Sequence, residues 1–229
     1  FIKRSLAETL DDPKQPTLVA LPDAVSGKQT KTMKVSLAST DQQSKLMVYQ
    51  PVSEIKVRLG GDRAILRGKA LKHSKVLVGH EGESRLISRL PSIRNSVFTA
   101  KGGLNTVIDF RGDRLTGVTA HFGEGADSLI VSPDSLLRQG SQFNLGRGPD
   151  LAQLDGVIRS GSINLGSDRD ADRVVLADRS QLKGELLISH VGPRDVLHIG
   201  DEQYSGLDLR SKEEDGIRIT FQEHLFCDS

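Results

Sequence analysis

Six aspartates stand where side-chain chemistry could be shared: Asp127, Asp150, Asp168, Asp170, Asp172 and Asp195. Asp127, Asp150, Asp172 and Asp195 are separated by 23, 22 and 23 residues, and each closes a stretch built for turning. A carboxylate in such a place accepts backbone N–H bonds and caps the turn before a strand begins. Arg147, Arg169 and Arg194 share the same stretches, so an Asp–Arg ladder could also neutralise the acids. Exposed pairs of that kind contribute little, about 0–1 kcal/mol each.

The turns that hold these acids recur along the chain. Gly123-Glu124-Gly125-Ala126-Asp127 precedes Ser128-Leu129-Ile130-Val131, and Gly146-Arg147-Gly148-Pro149-Asp150 precedes Leu151-Ala152-Gln153-Leu154. Asp172 leads into Arg173-Val174-Val175-Leu176, and Asp195 into Val196-Leu197-His198-Ile199. Upstream, Asn105, Glu83, Asp62 and Asp41 continue the series, with Glu83 expected to slip by one residue because its register would turn Arg85 inward. Downstream, Asp215 precedes Gly216-Ile217-Arg218-Ile219. About half a period later comes a second glycine column, Gly117, Gly140, Gly161, Gly184 and Gly206, followed by short apolar alternations.

After each acid, residues two and four are apolar, which points both to one face of a strand. Leu129 with Val131, Val174 with Leu176, and Leu197 with Ile199 are examples. Periods of this length, each with short strands and turns and no helical periodicity, mark a solenoid. The expectation is an all-β, parallel β-solenoid of about six to eight coils, each holding two short strands and two turns. Coils stack at about 4.8 Å, so six of them would span on the order of 30 Å. Glycine suits the corners because it adopts positive φ without a Cβ clash; Ala126 and Ala171 would sit inside them. Residues 1–37 are expected as an arm, linker and loop, 38–214 as the repeats, and 215–229 as a cap or assembly edge.

Gly123 to Val131 resembles the Gly-Gly-x-Gly-x-Asp-x-apolar-x nonapeptide of hemolysin-type (RTX) calcium-binding β-rolls, and Gly146 to Asp150 repeats its core. The coils here are longer, at 20 to 23 residues. In that family, turn carbonyls and carboxylates of stacked coils hold calcium. The resemblance implies calcium as a bound ion, with Asp127, Asp150, Asp172 and Asp195 as ligands and Asp168 and Asp170 adding carboxylates at one corner. Ca²⁺ takes about six to eight oxygen ligands, which carboxylates and turn carbonyls supply.

Other signals are weaker. The six histidines (His73, His80, His121, His190, His198 and His224) show no metal-ligand spacing. One cysteine, Cys227, excludes an internal disulfide framework. Arg111-Gly112-Asp113 spells the integrin-binding tripeptide but occupies an ordinary turn of the repeat. There is no Gly-x-Ser-x-Gly elbow and no phosphate-binding Gly-x-x-x-x-Gly-Lys loop. No apolar run is long enough for a membrane span. With 31 Lys+Arg against 30 Asp+Glu, no bulk basic field points to nucleic acid.

The expected function is a non-enzymatic structural or assembly module of an extracellular or cell-surface protein: an adhesin, surface-layer or filament subunit. It would form homo-oligomers or polymers through the solenoid ends, with a surface polysaccharide as a further partner. Two alternatives stand beside it. One is a calcium-assisted polysaccharide lyase or hydrolase using Asp168, Asp170 and Asp172 with Arg169 or Arg173. The other is an intracellular polymer-forming scaffold. A chain with no Trp and two Tyr lacks the aromatic platforms on which sugar-cleaving grooves rely.

Overall fold

The computed structural model describes residues 17–21, 34–37, 43–48, 52–54, 56–59, 63–79, 83–100, 105–138, 140–209 and 217–221. Residues 1–16 and 22–33 of the expected arm, linker and loop, the acids Asp41, Asp62 and Asp215, and the terminal Cys227 lie outside these residues. The described chain is a parallel β-solenoid of about six turns. One sheet has ten strands and the other fourteen, and almost every pairing joins strands one coil apart in parallel. No described helix is long and apolar enough to cross a membrane.

Each regular coil carries three short strands rather than the two expected from the sequence. One coil consists of Thr106–Phe110, Arg114–Thr116 and Thr119–His121; the next is Ser128–Val131, Leu136–Arg138 and Gln142–Asn144. The strands stack into three columns. The first column is the ten-stranded sheet, and the other two form the fourteen-stranded sheet, joined through the long strand Val157–Asn164. Three residues suffice for the shorter strands because each is paired in parallel with the coils on either side. The stack includes strands N-terminal to residue 38: Thr17–Leu21 pairs with Gln43–Val48, and Lys34–Leu37 with Lys56–Leu59.

Alternation sends one residue in two to an apolar interior. Leu129, Val131, Leu137, Phe143 and Leu145 of a single coil are all buried there. Phe98 meets Phe110 edge-on at 5.3 Å, and Phe110 leans on Phe143 at 6.4 Å, so aromatic rings bridge the columns inside the stack. A fully buried side chain of this size contributes about 1.5–3 kcal/mol relative to exposure.

The C-terminal end departs from the repeat. Glu202–Ser205 returns antiparallel along Val196–Ile199 and closes the ten-stranded sheet, and a single helical turn, Gly206–Leu209, follows it. Ile217–Phe221 joins the third column beside Leu182–Val191, not the first column where the Asp215 spacing would place it. The antiparallel return has already taken the first-column edge, so the chain's next strand finds its free edge on another side.

Candidate functional site

The aspartate column lies at the corner where the third column of strands turns into the first. Its registered members are Ser84, Thr106, Asp127, Asp150, Asp172 and Asp195. Glu83 and Asn105 sit one residue earlier, so the slip expected for the Glu83 repeat also applies to Asn105. Both remain at the corner's surface, where Asn105 Nδ2 donates to Glu83 Oε1 and Asn105 Oδ1 accepts the Ala126 N–H. Ala126 and Ala171 are exposed and not inside the corner.

The four column aspartates are buried and perform one repeated task. Each sends Oδ1 to the backbone N–H of the equivalent residue in the preceding coil. Asp127 accepts from Thr106 at 2.6 Å, Asp150 from Asp127 at 2.8 Å, Asp172 from Asp150 at 2.9 Å and Asp195 from Asp172 at 2.9 Å. At two coils Oδ2 reaches back to the start of its own turn, from Asp127 to Gly123 N–H and from Asp195 to Gly192 N–H. The glycines make this close approach feasible: a Cβ on Gly148, whose φ is +114°, would fall against the Gly125 carbonyl. A neighbouring carboxylate, Asp168, accepts the Gly148 N–H at 3.0 Å and the Asp170 N–H at 3.1 Å, while Asp170 itself is exposed.

Burial raises the column's affinity for protons. Asp150 and Asp172 are pushed up to about 8 by desolvation, against the pull of their backbone donors, and nearby carboxylates push in the same direction. Asp195 rises to about 6 for the same leading reason, and Asp127 is also raised. Arg147 reaches 3.7 Å from the exposed Glu124, not a column acid, and Arg194 is exposed.

The corner as built turns its carboxylates to the backbone. Ca²⁺ needs about six to eight oxygens turned toward one point. Here the Oδ1 atoms of all four column acids, and two of their Oδ2 atoms, already face backbone N–H groups. Among the described residues, no three His, Cys, Asp or Glu side chains are grouped to hold a metal ion.

The other two corners repeat the device with different residues; the second glycine column signalled one of them in the sequence, and nothing signalled the other. Between the second and third columns, Ser96 Oγ accepts the Ser74 N–H and Ser141 Oγ the Val118 N–H, each one coil on. The residue before this step is left-handed in coil after coil: His73, Asn95, Gly117 and Gly140 all have φ between 45° and 78°. Asn tolerates that conformation better than most residues, which is why the glycine column continues upstream without glycine. Between the first and second columns, Ser135 Oγ accepts the Gly112 N–H and donates to the Phe110 carbonyl. One coil earlier the same place holds Asp113, fully buried, with both carboxylate oxygens lacking a hydrogen-bond partner. Desolvation drives it to about 8, against the weaker pull of the Ser88 hydroxyl and the Leu90 N–H, which lie near it without closing a hydrogen bond of good geometry. With its aspartate inside the core, Arg111-Gly112-Asp113 is not displayed as a recognition tripeptide.

A scan against protein-family models, a search of the curated proteins and a search of the solved structures each returned no match. The stacked parallel coils are consistent with a β-roll, and the resemblance to the hemolysin-type family rests on the Asp127 and Asp150 turns alone.

Proposed function

We propose that this chain is a non-enzymatic structural module, a stiff β-solenoid segment that assembles end to end in an extracellular or cell-surface setting. The observation that carries the reading is the use made of the acids. The column carboxylates, which an active site or ion site would direct toward a ligand, are buried and turned to the backbone of the adjacent coil. Groups tied into the stack in this way hold coils in register and are withdrawn from substrate. The surface setting follows by analogy with other stacked-coil modules.

Charge supports end-to-end association. A solenoid converts sequence order into position along its axis, so a charge bias in sequence becomes an axial polarity. The described residues from 52 to 100 carry 10 Lys+Arg against 2 Asp+Glu, and those from 105 on carry 11 against 16, a formal +8 against −5. A basic end facing an acidic end favours head-to-tail contact, which is heterologous and propagates. Sedimentation velocity across protein concentration and ionic strength tests this, with negative-stain images of the low-salt sample. Self-association that strengthens as salt falls is expected. A monomer at every concentration and salt, or cleavage of uronic-acid polymers by the purified chain, overturns the proposal.

A further inference from the structure

We infer that the outer face of the second column is a binding groove for an acidic polysaccharide. Strand register places Lys72, Arg94, Thr116 and Arg138 in one ladder, each directly above the last. Arg159 continues it, one residue beyond the Leu137–Ile158 pair. Four cations therefore stand in five successive coils, a row of about 19 Å at the ~4.8 Å strand spacing. Arg94 and Arg159 line an open groove of about 800 Å³ together with Arg114.

Nothing in the fold accounts for this row. Like charges directly opposite one another on neighbouring strands are destabilising, and among the described residues no carboxylate pairs with Lys72, Arg94, Arg114, Arg138 or Arg159. Arg138 Nε is buried with no hydrogen-bond partner. The first column shows the contrast. There Arg85 and Arg111 converge on Asp109, which also accepts from Ser132 Oγ at 3.2 Å. Burial would raise the Asp109 carboxyl, but these partners outweigh it and hold it below its ordinary value. That cluster is internally satisfied; the second-column row is not.

A straight row of unpaired cations along the axis matches a linear polymer with regularly spaced anions. Two features favour a glycan over a nucleic acid. The groove has no aromatic lining residue, so bases would find no stacking platform. It also holds the exposed carboxylate of Asp134 beside Ser92 and Ser135. A carboxylate there accepts hydrogen bonds from free sugar hydroxyls, which the deoxyribose units within a DNA strand lack.

The test is titration calorimetry of the whole chain with heparin fragments, polygalacturonate fragments and single-stranded DNA of similar length. At low salt one of the two glycans should bind more tightly than the DNA, and the tighter one identifies sulfate or carboxylate as the preferred anion. Binding should weaken about tenfold or more between about 50 and 200 mM NaCl, as expected for several screened contacts. Arg94→Gln/Arg159→Gln, at outward positions, should lose at least about tenfold in affinity while keeping the wild-type melting profile. The control Arg173→Gln/Arg194→Gln removes the same charge elsewhere and should bind as wild type. Failure of both glycans to bind, equal loss in the two double variants, or tighter binding of DNA overturns the inference.

Discussion

Two corners of the same solenoid bury aspartate with opposite results. At the first, Asp127, Asp150, Asp172 and Asp195 each meet a backbone N–H from the preceding coil within 2.6–2.9 Å. At the second, Asp113 is as deeply buried, yet neither carboxylate oxygen has a hydrogen-bond partner. Burial alone therefore says little about what an acid contributes. What matters is whether stacking brings a donor to it. Ser135, one coil beyond Asp113, shows that a short hydroxyl satisfies the second corner by accepting from Gly112 and donating to Phe110.

The largest expected effect separates the corners directly. Asp127→Ala strips two backbone N–H groups, those of Thr106 and Gly123, of their acceptor. Leaving a buried donor unsatisfied costs about 1–3 kcal/mol each. Urea unfolding should show a loss in that range or above it. Asp113→Ala removes a buried group that has no partner to abandon, so stability should hold or rise. A loss for Asp113→Ala as large as that for Asp127→Ala would erase the distinction.

A smaller effect lies in pH. In the folded chain Asp113, Asp150 and Asp172 are raised to about 8 and Asp195 to about 6, above the ordinary 3.8. The folded state therefore holds more protons than the unfolded state between these values, and stability falls as pH rises. It should be greatest near pH 4 and decline through pH 6 to 8. Melting at pH 5 should occur several degrees above melting at pH 8.5. In Asp113→Ala the decline should be shallower, because one of the raised groups is gone. A Tm that climbs with pH over this interval would contradict the assignment.

The smallest expected effect concerns calcium. With the column carboxylates turned to backbone donors, added Ca²⁺ and a chelator should leave Tm unchanged. A ligand held only by the folded state at about 100 times its Kd would add roughly 2.7 kcal/mol, which a melt resolves readily. A calcium-dependent rise that disappears in Asp127→Ala/Asp150→Ala would show that ion binding and backbone capping coexist at this corner.

The period of 20 to 23 residues, the aspartate column and the inward apolar alternation were all legible in the sequence. They follow from residue types with strong local rules: Asp before a strand, Gly at positive φ, and apolar residues at every second position. Those rules determined that the chain stacks parallel coils, and where two of the corners lie. The tertiary structure decided the rest. It added the middle strand of each coil, since Arg114–Thr116 and Leu136–Arg138 are too short to carry a pattern alone. It placed His73 and Asn95 in a column with Gly117 and Gly140, and it moved the aspartate column from Asn105 to Thr106. It also assembled the row from Lys72 to Arg159, whose members are ordinary surface cations in the sequence. The physical reason is register. Coil length drifts by a residue or two, a slip of one turns every side chain to the other face, and only the hydrogen-bonded pairing of neighbouring coils decides which residues stand above one another.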